Sequence, residues 1–514
     1  MNSTKTLKNS IISVLGQIMT LLLQFVNRRV FVMFLDIEYL GYHSVFGNIF
    51  SILSVAELGI GGIISFHLYR EIVTDNKQEI GKLMYLYKWV YRIIAAVVTV
   101  LGLVACIFVP YIVKDSSRSM GYLYIVYFLQ LASMVAGYFL SYRRTIYAAD
   151  QKEYVTIEID LFANIIVQVI QLTLLAIFKN YLLYLAIQLS ITFFANVLIM
   201  LKSNKDYPYL KEKYTVTKED INKRNMIPDI KNFLVHKIAY AVYGGTDNIV
   251  ISALCGIRNV ALYGNYFLIQ KGVMNVLFYR LLNPVQAAIG NIVYADRKKE
   301  DLWKQFEMFD VFSFFFASYI SAGFLVFFQP AIQIWLGSTK YLLPYSFVIM
   351  YSLTIYLGAV WEIVYKYRSV FGDYRQDRNC MLVSAVLNII VSVALAKPLG
   401  VTGVQIGTFA GFLPIAYGRI RFVVKGFFGK SIKKYLAKHA GLFAVVILEG
   451  AALYFLTRNM PVTLVGILLR FLLWGTIPLA VDLLIYFRSP HFKDMCGYFK
   501  NLLNIVKSKA KQKK

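Results

Sequence analysis

Long apolar runs recur along this chain, and they constrain its fold more than any other feature. A helix needs about 20 such residues to cross the hydrocarbon core of a bilayer. Fourteen spans are predicted, near residues 10–35, 42–69, 84–111, 121–142, 154–178, 181–201, 232–255, 260–290, 306–329, 342–365, 380–396, 401–418, 440–457 and 463–487. The runs are continuous rather than alternating, which predicts helices and argues against a barrel. Composition agrees, with 58% hydrophobic and only 16% charged residues, against about 25% charged in globular domains. The predicted fold class is an all-α polytopic membrane protein. Pro284, Pro344 and Pro414 are expected to kink or start helices within it.

The formal net charge of +26 would suggest nucleic acid in a soluble chain, but its placement excludes that partner. With the N-terminus inside, about 39 of the 54 Lys and Arg residues fall in cytoplasmic segments, about 7 in external loops and about 8 within spans. The external turns are short and poor in bases, such as DIEYLG at 36–41 and KN at 179–180. So strong a bias over short loops sets orientation, with both termini cytoplasmic. The N-terminal residues lead straight into an apolar run of about 25 residues without a small-residue cleavage site, which reads as a retained first helix. The four cysteines are far apart with no CxxC and indicate neither a disulfide framework nor a zinc site.

The longest polar segment, 202–231, separates six predicted spans from eight. The expected organisation is an N-lobe over 1–201, a cytoplasmic linker over 202–231, a C-lobe over 232–424, spans 13 and 14 over 425–487, and a basic tail over 488–514. The tail either lies on the anionic inner leaflet or is solvated. Two stretches about 220 residues apart support a repeat: VNRRVFVMFLDIEYLGYHSVFGNIF from Val26 and TDNIVISALCGIRNVALYGNYF from Thr246. Each passes from a polar break through a short turn into a second helix. Transporters built of two such lobes hold substrate at the repeat interface.

Arg28 and Arg29 sit inside the first span, where an arginine facing lipid costs several kcal/mol. Ser13, Gln17, Thr20, Gln24, Asn27 and Arg28 form one polar stripe at helical spacing. Arg29 points elsewhere, toward a neighbouring helix or outward past Asp36. Span 7 carries His236, Tyr240, Tyr243 and Asp247 on one face; span 8 carries Gly264, Lys271 and Asn275; in span 2, Glu57 shares a face with His43. A cavity holding Arg28 and Lys271, backed by Arg280, suits a phosphate ligand, because guanidinium grips phosphate oxygens bidentately and stays charged. Gln17, Gln24, Asn27, His43, Tyr240, Tyr243 and Asn275 are the expected polar lining, fit to bond and stack on sugar. Glu57 and Asp247 are either coupling sites for Na⁺ or H⁺ or partners of a neighbouring base. Polar faces on span 5 (Asp160, Asn164, Gln168, Gln171) and span 6 (Gln188, Thr192, Asn196) read as hydrogen bonding within a lobe. Glu362 and Lys366 read as a structural pair.

Enzyme signals are weak. ELGIGG at 57–62 follows no strand, and HExxH, GxSxG and P-loop motifs do not occur. No catalytic residue, cofactor or metal is expected. A membrane polymerase or ligase would need a large external loop, whereas none here exceeds about 12 residues.

EYLGYHSVFGNIFSILSVAELGIG at 38–61 and GGTDNIVISALCGIRNVALYGNY at 244–266 resemble the Wzx-type polysaccharide flippases of the multidrug/oligosaccharidyl-lipid/polysaccharide (MOP) exporter superfamily. The resemblance implies two six-helix lobes forming a V-shaped cavity, with alternating access, in a bacterial cytoplasmic membrane. It implies an undecaprenyl-pyrophosphate-linked oligosaccharide as substrate, with Arg28 at the position of a pyrophosphate-engaging arginine. Spans 13 and 14 would match two extra helices that hold the lipid tail in similar lipid II flippases. A lipid II flippase and a multidrug/cation antiporter of the same fold are the competing readings, the second of which calls for an acidic cavity. Glu449, Arg470 and Asp482 in spans 13 and 14 are unexpected in a lipid-facing groove, and pairing with one another is the expectation for them.

Overall fold

The computed structural model describes residues 3–54, 67–69, 71–216, 245–279, 286, 289–290, 298–370, 378–498 and 500. All regular structure among them is helical, as hydrocarbon requires of a backbone that must satisfy its own N–H and C=O groups. Nine of the described helices are long and apolar enough to cross a membrane. The chain is a multi-pass membrane protein. Contacts divide it into two units, Met1–Gly264 and Asn265–Lys514.

The first unit contains α1 (Ser3–Phe34), α2 (Glu38–Leu53), α3 (Lys77–Ala105), α4 (Met120–Ser141), α5 (Glu153–Phe178) and α6 (Tyr181–Asp206). Residues 245–255 are also helical, and α7 (Ile257–Val273) begins in this unit. The two-residue turn expected at 179–180 is built by both its residues. Lys179 ends α5 in the left-handed region, and the Asn180 side chain caps α6 by accepting from Leu182 N at 2.9 Å. α3 and α4 meet where Gly102 admits the Leu131 side chain and takes the Tyr127 hydroxyl on its carbonyl at 2.7 Å.

Polar residues of the fifth and sixth spans largely serve packing, as expected. Arg144 grips Asp160 with two guanidinium nitrogens and also reaches Asn196 Oδ1 at 2.9 Å. Gln171 donates to the Tyr184 carbonyl at 2.9 Å. The first half of the expected linker is ordered against this unit rather than free. Tyr207 bonds Asp150, Arg143 donates to the Leu210 carbonyl, and the Tyr214 ring lies over Gly81. Burial and the Asp150 carboxylate push the Tyr207 phenol up, so it stays a neutral donor.

The second unit takes the rest of α7, which ends in a π turn at Met274–Phe278, and then α8 (Lys299–Leu336) and α9 (Tyr345–Val360). It continues through α10 (Arg378–Leu399), α11 (Val401–Ile420), α12 (Ile432–Thr457) and α13 (Leu464–Tyr486). α11 matches the twelfth expected span but is not one of those nine. Its Gly403, Gly407 and Gly411 instead bring it against the backbone of α10, at Leu395, Ser392 and Asn388, the small-residue packing typical of membrane helices.

Several buried charges in this unit are partnered. Glu362 and Lys366 form the expected buried pair at 3.2 Å. Asp310 on α8 takes the Tyr435 hydroxyl and Lys438 ammonium, each at 2.7 Å, and lies 3.2 Å from His439 Nε2, all on α12. Arg470 departs from expectation: it pairs with neither Glu449 nor Asp482. Its guanidinium donates to the carbonyls of Thr457, Met460, Pro461 and Gly466, closing the α12–α13 turn. A fork of five donors can satisfy several orphan carbonyls of a helix end at once.

A Cβ on Gly407 would lie 2.1 Å from Ser392 Oγ and 2.6 Å from its backbone nitrogen. Overpacking of this kind costs about 1–3 kcal/mol or more. Gly407→Val is expected to lower the melting temperature of detergent-purified protein by several degrees or abolish its folded yield. Gly441→Ala, whose added carbon meets nothing within 4 Å, is expected to leave the melting temperature unchanged in the same size-exclusion thermal assay.

Candidate functional site

Arg28 leaves α1 toward the first turns of α7 and donates to the Ala261 carbonyl at 2.7 Å. Gly264 makes that approach possible, since a Cβ there would lie 3.0 Å from a guanidinium nitrogen. The two stretches that resemble the flippases also meet where they are described. A Cβ on Gly41 would fall 2.5 Å from the Ile257 carbonyl oxygen, and Asn48 donates to the Gly245 carbonyl at 3.3 Å. Small residues at 41 and 245 thus let α2 lie against residues 245–257.

His43 on α2 is exposed and lies within electrostatic range of Arg28. It lines a cavity of about 470 Å³ together with Ser51 and Ser54 at the end of α2, Gln130 and Ser133 on α4, and Gln188 and Thr192 on α6. Gln130 Nε2 is buried without a hydrogen-bond partner among the described residues. Phe50, Leu129, Met134 and Leu185 share the lining, so the void offers a mixed apolar and polar surface on which hydroxyls, amides and an imidazole could orient a ligand.

The remaining expected residues fall in several places. Asn27 accepts from the Tyr184 hydroxyl at 3.1 Å and so joins α1 to α6. Gln17 is exposed and Gln24 half-buried, and neither lines the cavity. Asp247 is half-buried in the 245–255 helix. Lys271 and Asn275 are both exposed, one turn apart in the second unit. Glu57, Tyr240, Tyr243 and Arg280 lie outside the described residues.

The second unit holds an aromatic groove of about 630 Å³. α8 supplies Phe315, Phe316, Tyr319, Phe324, Phe327 and Phe328, α7 supplies Ile269 and Val273, and α13 supplies Trp474, Leu479 and Asp482. Trp474 is fixed by donating to the Tyr319 carbonyl at 2.9 Å, over Gly323. Such a lining accepts a hydrocarbon chain and offers it a single carboxylate. Among the described residues no group of three or more His, Cys, Asp or Glu could hold a metal.

Gln130, Ser51, Ser54 and Ser133 are absent from the sequence reading, and Gln188 and Thr192 were expected to serve packing alone. Serine and single glutamines are common in packed membrane helices, so only their convergence on one void distinguishes them. The α8 aromatics merge into an apolar run, although Phe316, Ile320, Gly323 and Phe327 recur at helical spacing.

Comparison with known proteins brings in the fold but no sequence family. No family model matches the chain, and no curated protein matches it significantly. Among solved structures it is similar to the lipid II flippase MurJ in an inward closed conformation, at TM-score 0.63 and 14% identity over 93% of this chain and 98% of that one. A multidrug resistance MATE transporter of the MOP superfamily, inward-facing, is similar at TM-score 0.53 and 14% identity, over 78% of this chain and 94% of that one. The chain therefore shares the helical fold of these two structures, over 93% of its length in the first case and 78% in the second.

If the polar cavity is open to water, single cysteines placed at Ser51 or Gln188 in a background lacking Cys106, Cys255, Cys380 and Cys496 will react with a membrane-impermeant maleimide. Phe162→Cys, at an exposed apolar position of α5, is expected to stay unlabelled in membranes. Equal labelling of all three would show that the cavity is not the aqueous surface.

Proposed function

We propose that this protein is a flippase that moves an undecaprenyl-pyrophosphate-linked oligosaccharide from the cytoplasmic to the external leaflet for surface polysaccharide assembly. The observation that carries the reading is an intramembrane guanidinium, Arg28, beside a polar cavity that His43 helps to line. Arg28 binds the pyrophosphate, with Lys271 and Arg280 as further cations for it. The hydroxyls and amides of the cavity wall serve the sugars. The aromatic groove between α8 and α13 accommodates the polyprenyl chain, a role that deepens the likeness to a structure named as a lipid II flippase.

Transport proceeds by alternating access, with both termini cytoplasmic and the protein in a bacterial plasma membrane. Glu57 and Asp247 are the proposed sites for a coupling Na⁺ or H⁺. A lipid II flippase shares this headgroup chemistry and differs only in the sugar. A multidrug/cation antiporter is disfavoured because Arg28, within electrostatic range of the cavity residue His43, is basic and no described lining residue is a carboxylate, whereas a cationic substrate calls for carboxylates.

Reconstitution with a fluorescent undecaprenyl-pyrophosphate oligosaccharide tests the reading. A hydrogen bond from a charged donor is worth about 1.5–3 kcal/mol, so Arg28→Ala is expected to slow flipping at least about 10-fold. Arg28→Lys should retain part of the activity and Arg29→Ala most of it. A wild-type protein that moves no lipid-linked sugar but expels cationic dyes would replace this reading with the antiporter.

A further inference from the structure

Asp482 stands out in the aromatic groove because nothing answers its charge. It is 1% exposed, and neither carboxylate oxygen has a hydrogen-bond partner among the described residues. Glu449 on α12 is also buried and lies within electrostatic range of Asp482. One Glu449 oxygen accepts the Ser318 hydroxyl at 3.0 Å, and the other is unpartnered among the described residues. Ser318 lies beside Asp482 as well, but its one proton is committed to Glu449.

The hydroxyl of Tyr356 on α9 is a second, independent sign of an unfilled position. It is buried, has no partner among the described residues, and lies within electrostatic range of both carboxylates. Tyr486 on α13 faces Asp482, and Asp310 on α8 faces both tyrosines. Among the described residues no base offsets Glu449 or Asp482. Lys438 and His439 are engaged on Asp310, and Arg470 on the carbonyls of the α12–α13 turn. α7 presents only Ile269 and Val273 to the groove.

An unpaired carboxylate out of water costs several kcal/mol, and a second beside it adds repulsion. A proton on one of the two removes one of the charges and the repulsion between them. We propose that Glu449 and Asp482 form a proton-binding site in the wall of the groove, holding a proton when the groove is dry and releasing it when water enters. Protonated Asp482 presents an apolar wall to a hydrocarbon chain, whereas ionised Asp482 holds water that the chain must displace. Chain binding and proton binding therefore favour each other, and affinity falls as pH rises.

Difference infrared spectroscopy on the purified protein tests proton occupancy without reference to transport. Wild type at neutral pH is expected to show a protonated-carboxyl band that shifts in heavy water and is lost in Glu449→Gln/Asp482→Asn. Absence of the band in wild type, or its persistence in the double variant, would overturn the proposal. The coupling rests on the groove binding a hydrocarbon chain, and a second arm titrates a neutral polyprenol, read by Trp474 fluorescence. Wild-type affinity should fall with rising pH at up to about one decade per pH unit, the linkage limit for one proton, and the double variant should be flat. Binding that is equally pH-independent in both would overturn the coupling. A protein that shows the band yet binds no polyprenol would leave the proton site standing and remove the lipid-tail role instead.

Discussion

The absence of water in the hydrocarbon core governs this structure. Backbone groups there must be satisfied along the chain itself, which leaves helices, and polar side chains must find partners or face a cavity. Each departure from apolarity in the spans is therefore informative. Arg144 with Asp160 and Asn196, Glu362 with Lys366, Asp310 with Tyr435, Lys438 and His439, and Arg470 with four carbonyls are all cases where the demand is met locally. They hold helices together and offer little to a ligand.

A smaller group of residues is left facing voids, and these carry the functional argument. His43 and Gln130 line a polar cavity in the first unit, with Arg28 nearby on α1. Asp482 stands in an apolar groove in the second. The first offers hydroxyls, amides and an imidazole, and the second an aromatic lining with one carboxylate.

Span positions were legible because a bilayer imposes length and apolarity on a continuous stretch of sequence. α3 to α6 and α8 to α13 begin and end within about ten residues of the expected limits. The Glu362–Lys366 pair was legible for the same reason, since i,i+4 spacing puts the two side chains on one face. Long-range relations were not. The stripe on α1 located Arg28 but not its contact with Ala261, which depends on Gly264, 236 positions along the sequence from Arg28. Arg470 was expected to pair with acids of its own span and its neighbour, but four carbonyls at a helix end outcompeted a distant carboxylate. The cavity wall of serines and glutamines has no periodic signature, because its members come from three helices.

The account stands on a lipid-linked anion being the ligand, and the most direct measurement is comparative binding by the purified wild-type protein. Undecaprenyl pyrophosphate, undecaprenol and a cationic dye would be titrated in detergent, with intrinsic tryptophan fluorescence as the readout. The account predicts that the pyrophosphate binds at least about 10-fold more tightly than the alcohol, as a charge-assisted contact of about 1.5–3 kcal/mol requires, and that the dye does not saturate. Saturable dye binding with no preference for the pyrophosphate over the alcohol would contradict it.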